Sequence, residues 1–432
     1  MAKKKDTKAA GEKPTGHPRT WTPAQRREAF LASSNEDDND YQVMKSDFQE
    51  ELVPYGFLTF DKVMNLGGIA RRGRVTQVHG DEGAGKSSLV YTLAKNYQQF
   101  TGEPLAIYDF ERTGTPEYLK RIGVDMNLCF FKQPDSVEEC IKDSIRRMID
   151  RGVRLFVYDS IPRMKSKVAE KDIMSGKAFK ANFGKHAQTM SRFYDILLPY
   201  AAEYDCQLFM INQTRDRIED SKEAENSKKY PTFINKPYSL PGGRICRFTP
   251  SVMVEMKLMK ALTPYTGKNP KIDPFLCEPS TDATEKLLIL NEVRCRAHKN
   301  KVTGGGYREG TVYVRPGYGI DENVSIRDLA RKYKLIQNHG KQYFCGSSFE
   351  DAFITYASKA DAIEDLCIKQ NPEVLGKLKL MVSDAIDNDT EGYLFAVDEN
   401  EAQYLEGQTD VEYPVVDDDL TGESFDLEED KM

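Results

Sequence analysis

Apolar positions along this chain fall into two alternating rhythms, and from about Leu52 onward they predict an α/β architecture. Short buried-type runs read as strands at Val75–Val78, Leu105–Asp109, Leu128–Phe131, Leu155–Tyr158 and Leu208–Ile211. Between them lie segments with helical start signals. One helix follows Lys86. Another opens at Thr115-Pro116, a cap with a first-turn proline, and runs to Ile122. Ser136-Val-Glu-Glu139 is a capping box that opens a third, to about Arg151. A long helix ends near Glu203. Strands alternating with helices predict a mostly parallel sheet with helices on both faces. Segments 252–256, 287–297 and 311–315 read as further strands. From Ser325 to about Ala385 the pattern is mostly helical, with one hairpin-like aromatic piece near Tyr343–Phe344, and predicts a small second α+β domain.

Upstream, Thr22 and Pro23 open a short helix that runs to about Ala32. The acidic stretch Ser34–Asp40 separates it from the body. Such a helix has little core of its own and is either a frayed end or a docking arm for another subunit. The expected division is 1–51 for a disordered start, arm and linker, 52–321 for the core, 322–396 for the second domain and 397–432 for a disordered acidic tail. No internal repeat is present.

Composition adds limits. Hydrophobic residues make up 39% and charged residues 30%, which suits a packed core with polar appendages. No run of 18 apolar residues exists, so no membrane span is expected. The start has no apolar signal core, and the eight cysteines form no C-x-x-C pair. Structural zinc and a disulfide framework are therefore not expected, and a reducing compartment fits. The net charge of −7 conceals an asymmetry, because Asp398–Met432 holds 14 Asp and Glu against one Lys. The remainder is mildly basic. That suits either a polyanion binder with its own competing tail or a tail that only solubilises.

The candidate chemistry begins at Arg74–Ser88, where a strand, a glycine-rich turn and a helix start match the phosphate-loop pattern G-x-x-x-x-G-K-S/T. Gly80, Asp81, Glu82, Gly83, Ala84, Gly85, Lys86, Ser87 and Ser88 would wrap a nucleoside triphosphate with backbone N–H groups and a helix N-terminus. Lys86 would reach the β- and γ-phosphates and Ser87 would ligate Mg²⁺. A chance match in a glycine-rich loop is the competing reading, and the flanking strand and helix oppose it. Asp159, at the end of an apolar strand, is expected to hold the same Mg²⁺. Glu111 ends the neighbouring strand and would orient or deprotonate an attacking water; alternatively it pairs with Arg112 or Arg121. Gln213 ends a third strand and would sense the γ-phosphate. Two polar loops follow these strands. One is Pro162–Ala178, with Arg163, Lys165, Met174 and Lys177. The other is Thr214–Leu240, with Lys228, Lys229, Tyr230 and Phe233. They are either solvated surface or platforms for single-stranded bases.

These pieces, in this order, resemble the RecA/UvsX family of DNA strand-exchange ATPases. The resemblance runs from about Leu58 to Ala385. It rests on Leu66-Gly-Gly-Ile-Ala70, Gly80–Ser88, Tyr108-Asp-Phe-Glu111, Thr115–Asp125, Val157-Tyr-Asp-Ser160, Ile211-Asn-Gln213, Pro241-Gly-Gly243, Val293–Lys301 and Gly317–Asp321. It implies a RecA-type core, ATP and Mg²⁺ as cofactors, and a DNA-dependent ATPase. Glu111 would be the catalytic carboxylate, and Gln213 would link the γ-phosphate to the loop behind it. Tyr118 would stack on adenine. Lys299 and Lys301 would reach a neighbour's γ-phosphate. Both loops, with Gly242 and Gly243, would meet DNA, and Arg247 and Phe248 would lie in a subunit interface. Helical filaments of the chain on single-stranded DNA, which then engage double-stranded DNA, are the implied assembly. Single-strand-binding and loader proteins are further implied partners, in the cytoplasm of a bacterium or a phage-infected bacterial cell. An insertion from about Ala261 to Thr284 has no assigned role. Two other readings remain open: a ring-shaped helicase on the same core, and a regulatory ATPase independent of DNA.

Overall fold

The computed structural model describes residues 52–167, 185–216, 238–262, 275–276, 290–304 and 308–389. Its centre is a nine-stranded sheet. In chain order the strands are β1 (Arg74–Gly80), β2 (Leu105–Asp109), β3 (Cys129–Lys132), β4 (Leu155–Asp159), β5 (Gln207–Ile211), β6 (Val252–Leu262), β7 (Leu290–Asn300), β8 (Glu309–Arg315) and β9 (Gly319–Ile320). Across the sheet they lie in the order β9-β8-β7-β6-β1-β5-β4-β2-β3. The six strands from β6 to β3 are mutually parallel; β7, β8 and β9 are added antiparallel.

The period-two pattern of the parallel strands explains the layers. Leu105 and Ile107, Leu155 and Val157, and Phe209 and Ile211 face one core, shared with α1 (Lys86–Thr101) and α2 (Pro116–Ile122). Ala106 and Tyr108, Phe156 and Tyr158, and Leu208 and Met210 face the other, shared with α3 (Val137–Arg151) and α4 (Lys185–Glu203). A strand buried on both faces must be apolar at every position, which is why these segments read as continuous apolar runs.

The helix starts behave as the sequence predicts, with one shift. Thr115 caps α2 by accepting from Tyr118 N–H, and Ser136 caps α3 by accepting from Glu139 N–H. The Glu139 carboxylate reaches back to Asp135 N–H at 3.1 Å, one residue before the cap itself.

Two features differ from the expected pattern. A short antiparallel ladder pairs Leu52–Val53 with Ile69–Ala70. In the C-terminal part, the hairpin of β10 (Ile336–His339) and β11 (Gln342–Cys345) gains a third strand, β12 (Ile354–Tyr356). Only three residues long, β12 is too short to show a period. This sheet packs with α5 (Glu322–Lys332) and α6 (Pro372–Asn388) around a core that also takes Leu58 and Val63. Within it the fully buried Arg327 donates to Phe275 O at 2.8 Å and Leu366 O at 3.0 Å. The helix expected at Thr22–Ala32, the tail beyond Asp389 and most of the 261–284 insertion lie outside the described residues. Among the described residues no helix is long and apolar enough to cross a membrane.

Phe209 is wholly buried in the centre of the parallel sheet. Phe209→Ala is expected to cost about 3–5 kcal/mol, read as a lower melting temperature of the nucleotide-free protein.

Candidate nucleotide-binding and catalytic site

The carboxyl ends of β1, β2, β4 and β5 converge, and the residues immediately after them carry the chemistry. This is where parallel α/β sheets place ligands. A cavity of about 330 Å³ opens there. Glu82, Gly83 and Gly85 to Ser88 line it from the phosphate loop, and Glu111, Asp159 and Gln213 from the other strand ends.

Local geometry explains the loop. Gly80 ends β1 beside the parallel strand β6, and a Cβ there would stand 2.1 Å from Met256 O. Only glycine allows the two backbones to lie so close. Gly85 takes a left-handed conformation, φ 81°, as the residue before α1. Lys86 is the first residue of that helix and is buried. Its Nζ donates to Asp81 O at 2.6 Å, folding the side chain back along the loop. Burial holds the Lys86 pKa below its ordinary value, against the pull of Asp159, Glu111, Asp81 and Glu82.

Asp159 is 1% exposed. Burial pushes its pKa up to about 6; the charges of Glu111 and Asp109 act the same way, and hydrogen bonding to Ser87 and Tyr91 opposes them. Oδ2 accepts from the Tyr91 hydroxyl at 2.9 Å. Oδ1 is buried and makes no well-formed hydrogen bond among the described residues, while Ser87 is close enough to the carboxylate to favour its charged form. No cluster of three or more His, Cys, Asp or Glu side chains able to hold a metal is present among the described residues. One buried carboxylate oxygen and one serine hydroxyl instead suit Mg²⁺, which keeps several waters and takes its other ligands from bound phosphates.

Glu111 follows β2 by two residues. Its loop is shaped by Asp109, which is fully buried and accepts from Arg112 N–H at 2.9 Å, Gly114 N–H at 2.8 Å and Gln133 Nε2 at 3.1 Å. Glu111 Oε1 accepts from the Ser160 hydroxyl and from Gln213 Nε2, the latter at 2.9 Å. Arg112 pairs with Asp135, not with Glu111. Behind Gln213, the Thr214 hydroxyl bonds the Asp81 side chain, so the segment leaving β5 is tied to the phosphate loop.

Other expected positions lie apart from this cavity. Tyr118 is half-buried; its hydroxyl shares a 2.7 Å hydrogen bond with Ser88 and its ring meets Tyr91 edge-on at 6.0 Å. Lys299, near the end of β7, donates to Phe248 O at 2.6 Å and Arg247 O at 3.3 Å. Burial and the nearby Lys301 lower its pKa to about 8. Neither lysine lines the cavity. Phe248 is 69% exposed. Arg163 and Lys165 are exposed, whereas Gly242 is buried and a Cβ there would lie 2.4 Å from Cys246 Sγ. Met174, Lys177, Lys228, Lys229, Tyr230 and Phe233 fall outside the described residues.

Four cavity residues were not singled out from the sequence as site residues: Ile211 at the end of β5, and Asn291, Val314 and Pro316, on or just after the antiparallel strands. Val314 is also the side chain that a Cβ on Gly85 would strike. Ser160 was likewise overlooked as a partner of Glu111. No local pattern marks any of these, because their roles arise from strand order.

The family model for the RecA N-terminal domain matches residues 41–269. The chain belongs to the RecA family. It is 23% identical over 329 residues to Protein RecA of Leifsonia xyli, covering 74% of this chain and 81% of that one. It is 27% identical over 296 residues to Protein RecA of Borrelia duttonii, covering 68% and 71%. The α/β core with its mostly parallel sheet and helices on both faces is the RecA-type fold expected from the sequence.

The raised pKa of Asp159 has a sign. Its ionised form is penalised in the folded state, so its contribution to stability is most favourable below the unfolded carboxyl pKa and is lost as pH rises through about 6. Asp159→Asn is therefore expected to raise nucleotide-free stability at neutral pH, on the order of 2 kcal/mol. The gain should fade below about pH 4, as thermal melts across pH would reveal.

Proposed function

We propose that this chain is an ATP-dependent DNA recombinase that forms helical filaments on single-stranded DNA and catalyses homologous pairing and strand exchange. The observation that carries the reading is the Glu111 carboxylate, held by Ser160 and Gln213 in the wall of a phosphate-loop cavity in a RecA-family chain. Family membership favours this reading over a ring helicase or a regulatory ATPase.

ATP binds in the cavity, its phosphates on the backbone of Gly80–Ser88 and Lys86. Ser87 and Asp159 would hold Mg²⁺, which would supply neutralisation of phosphate charge. Because Ser160 and Gln213 both occupy Glu111 Oε1, Oε2 is the oxygen left to accept a proton from the attacking water. Gln213 touches the catalytic carboxylate and opens the segment toward 217–237, so a change at the γ-phosphate reaches the DNA loops through it. Arg163, Lys165, Met174, Lys177, Lys228, Lys229, Tyr230, Phe233 and Gly243 belong to the DNA surface, and the buried Gly242 supports the turn beside it rather than meeting DNA. Tyr118 lies under the base, and Lys299 and Lys301 reach the nucleotide of the next subunit, beside Arg247 and Phe248. Phosphate contacts supply much of the DNA affinity, which therefore falls with salt. The segment Thr22–Ala32 is the polymerisation arm. The tail from Asp398 restrains access to duplex DNA. Loader and single-strand-binding proteins are partners on this reading, and bacterial or phage-infected cytoplasm is its location.

Electron microscopy with single-stranded DNA and a slowly hydrolysed ATP analogue tests the proposal. Open helical filaments that need both ligands are expected; closed rings or DNA-indifferent particles would overturn it. Glu111→Gln is expected to slow ATP turnover about a hundredfold or more while ATP-dependent DNA binding persists in a filter assay. Because the Lys299 pKa is lowered to about 8, its charge is present below that pH and lost above it. Filament assembly on single-stranded DNA should therefore weaken as pH rises through about 8, since Lys299 of the free chain must then take up a proton to meet a phosphate, and Lys299→Arg should remove that decline, as filament counts across pH would show.

A further inference from the structure

Tyr91 lies one helical turn beyond Ser87 in α1, so both side chains face the end of β4. It is 1% exposed and does not line the cavity. A phenol buried this deeply needs a hydrogen-bond partner, since an unpaired hydroxyl out of water is destabilising. Its partner is Asp159 Oδ2, at 2.9 Å. The ring is held in turn: Tyr118 meets it edge-on at 6.0 Å, with 70° between planes, and the Tyr118 hydroxyl is tied to Ser88. A carboxylate has two oxygens and can turn about its own axis. Here one oxygen is held by Tyr91, and the other, Oδ1, is buried without a well-formed hydrogen bond among the described residues, in a carboxylate that Ser87 also approaches.

We infer that Tyr91 is a positioning residue of the metal site, whose hydroxyl fixes the Asp159 carboxylate so that Oδ1 stays directed at a divalent cation. The inference rests on the assignment of Ser87 and Asp159 to Mg²⁺ under the proposed function. Partners of ligating carboxylates generally influence metal affinity almost as strongly as the ligands do. Tyr91 touches neither nucleotide nor metal and acts only through Asp159. Losing its hydroxyl frees the carboxylate to turn and leaves Oδ2 buried without its donor.

The test is a Mg²⁺ titration of the full chain with a fluorescent ATP analogue, read as binding rather than turnover. Tyr91→Phe is expected to raise the Mg²⁺ midpoint about tenfold or more. Its nucleotide binding in chelator should stay at the parent's level. An unchanged midpoint in folded Tyr91→Phe protein would leave Tyr91 a core residue only and overturn the inference. Asp159→Asn separates the two claims: a midpoint unmoved in that variant sinks the metal assignment itself, whereas a shift there without one in Tyr91→Phe sinks only the role of Tyr91. Should Tyr91→Phe fail to fold, ortho-fluorotyrosine placed at position 91 keeps the ring and the hydroxyl. Its fluorine resonance should move when Mg²⁺ is added to the ATP-loaded protein, and a resonance indifferent to Mg²⁺ overturns the inference.

Discussion

Asp159 sits at the end of a strand flanked by two others, where burial removes its carboxylate from water and the nearby carboxylates of Glu111 and Asp109 oppose its ionisation. The protein tolerates this because the surroundings supply donors. Tyr91 bonds one oxygen, Ser87 approaches the carboxylate, and the ammonium of Lys86 lies within electrostatic reach. Several acidic groups against one lysine make a site that favours an added cation and the polyphosphate that comes with it. Stability and function therefore oppose each other at this position.

The phosphate loop and the Glu111 carboxylate reach their places by a shared device. Each follows a parallel strand whose register places its end level with its neighbour's. Asp109 pairs with Asp159, and Met256 with Gly80. Once register is set, a polar residue one or two positions past the strand must emerge at the same edge. Asp109 then tightens the turn that carries Glu111 by accepting from Arg112 N–H and Gly114 N–H. The hydrogen bond from Gln213 to Glu111 closes the circuit between strands far apart in the chain. A displacement at either carboxylate or amide is felt by the other through a single contact.

Much of the parallel core was legible in the sequence because a strand buried on both faces cannot hide its apolar run. The segments at Leu105, Leu155 and Leu208 formed strands for that reason. Capping signals at Thr115 and Ser136 were equally plain, since a side-chain acceptor before a helix acts within three residues. The third strand of the C-terminal sheet, Ile354–Tyr356, escaped because three residues show no period and its pairing partner decides its state.

By itself, then, the sequence determined the elements and the candidate reactive residues, because phosphate-loop spacing, caps and apolar runs act over a few neighbouring positions. Tertiary structure alone decided which residues meet, including Tyr91 and Ser160, which the sequence did not mark as candidates. Tyr91 and Asp159 are 68 positions apart, Ser160 and Glu111 are 49 apart, and Gln213 and Glu111 are 102 apart. Strand order brought these pairs together, and it also placed Asn291 and Val314 from the antiparallel strands against the same cavity. No local signal encodes such meetings, since they follow from how β1, β5, β4 and β2 line up across the sheet.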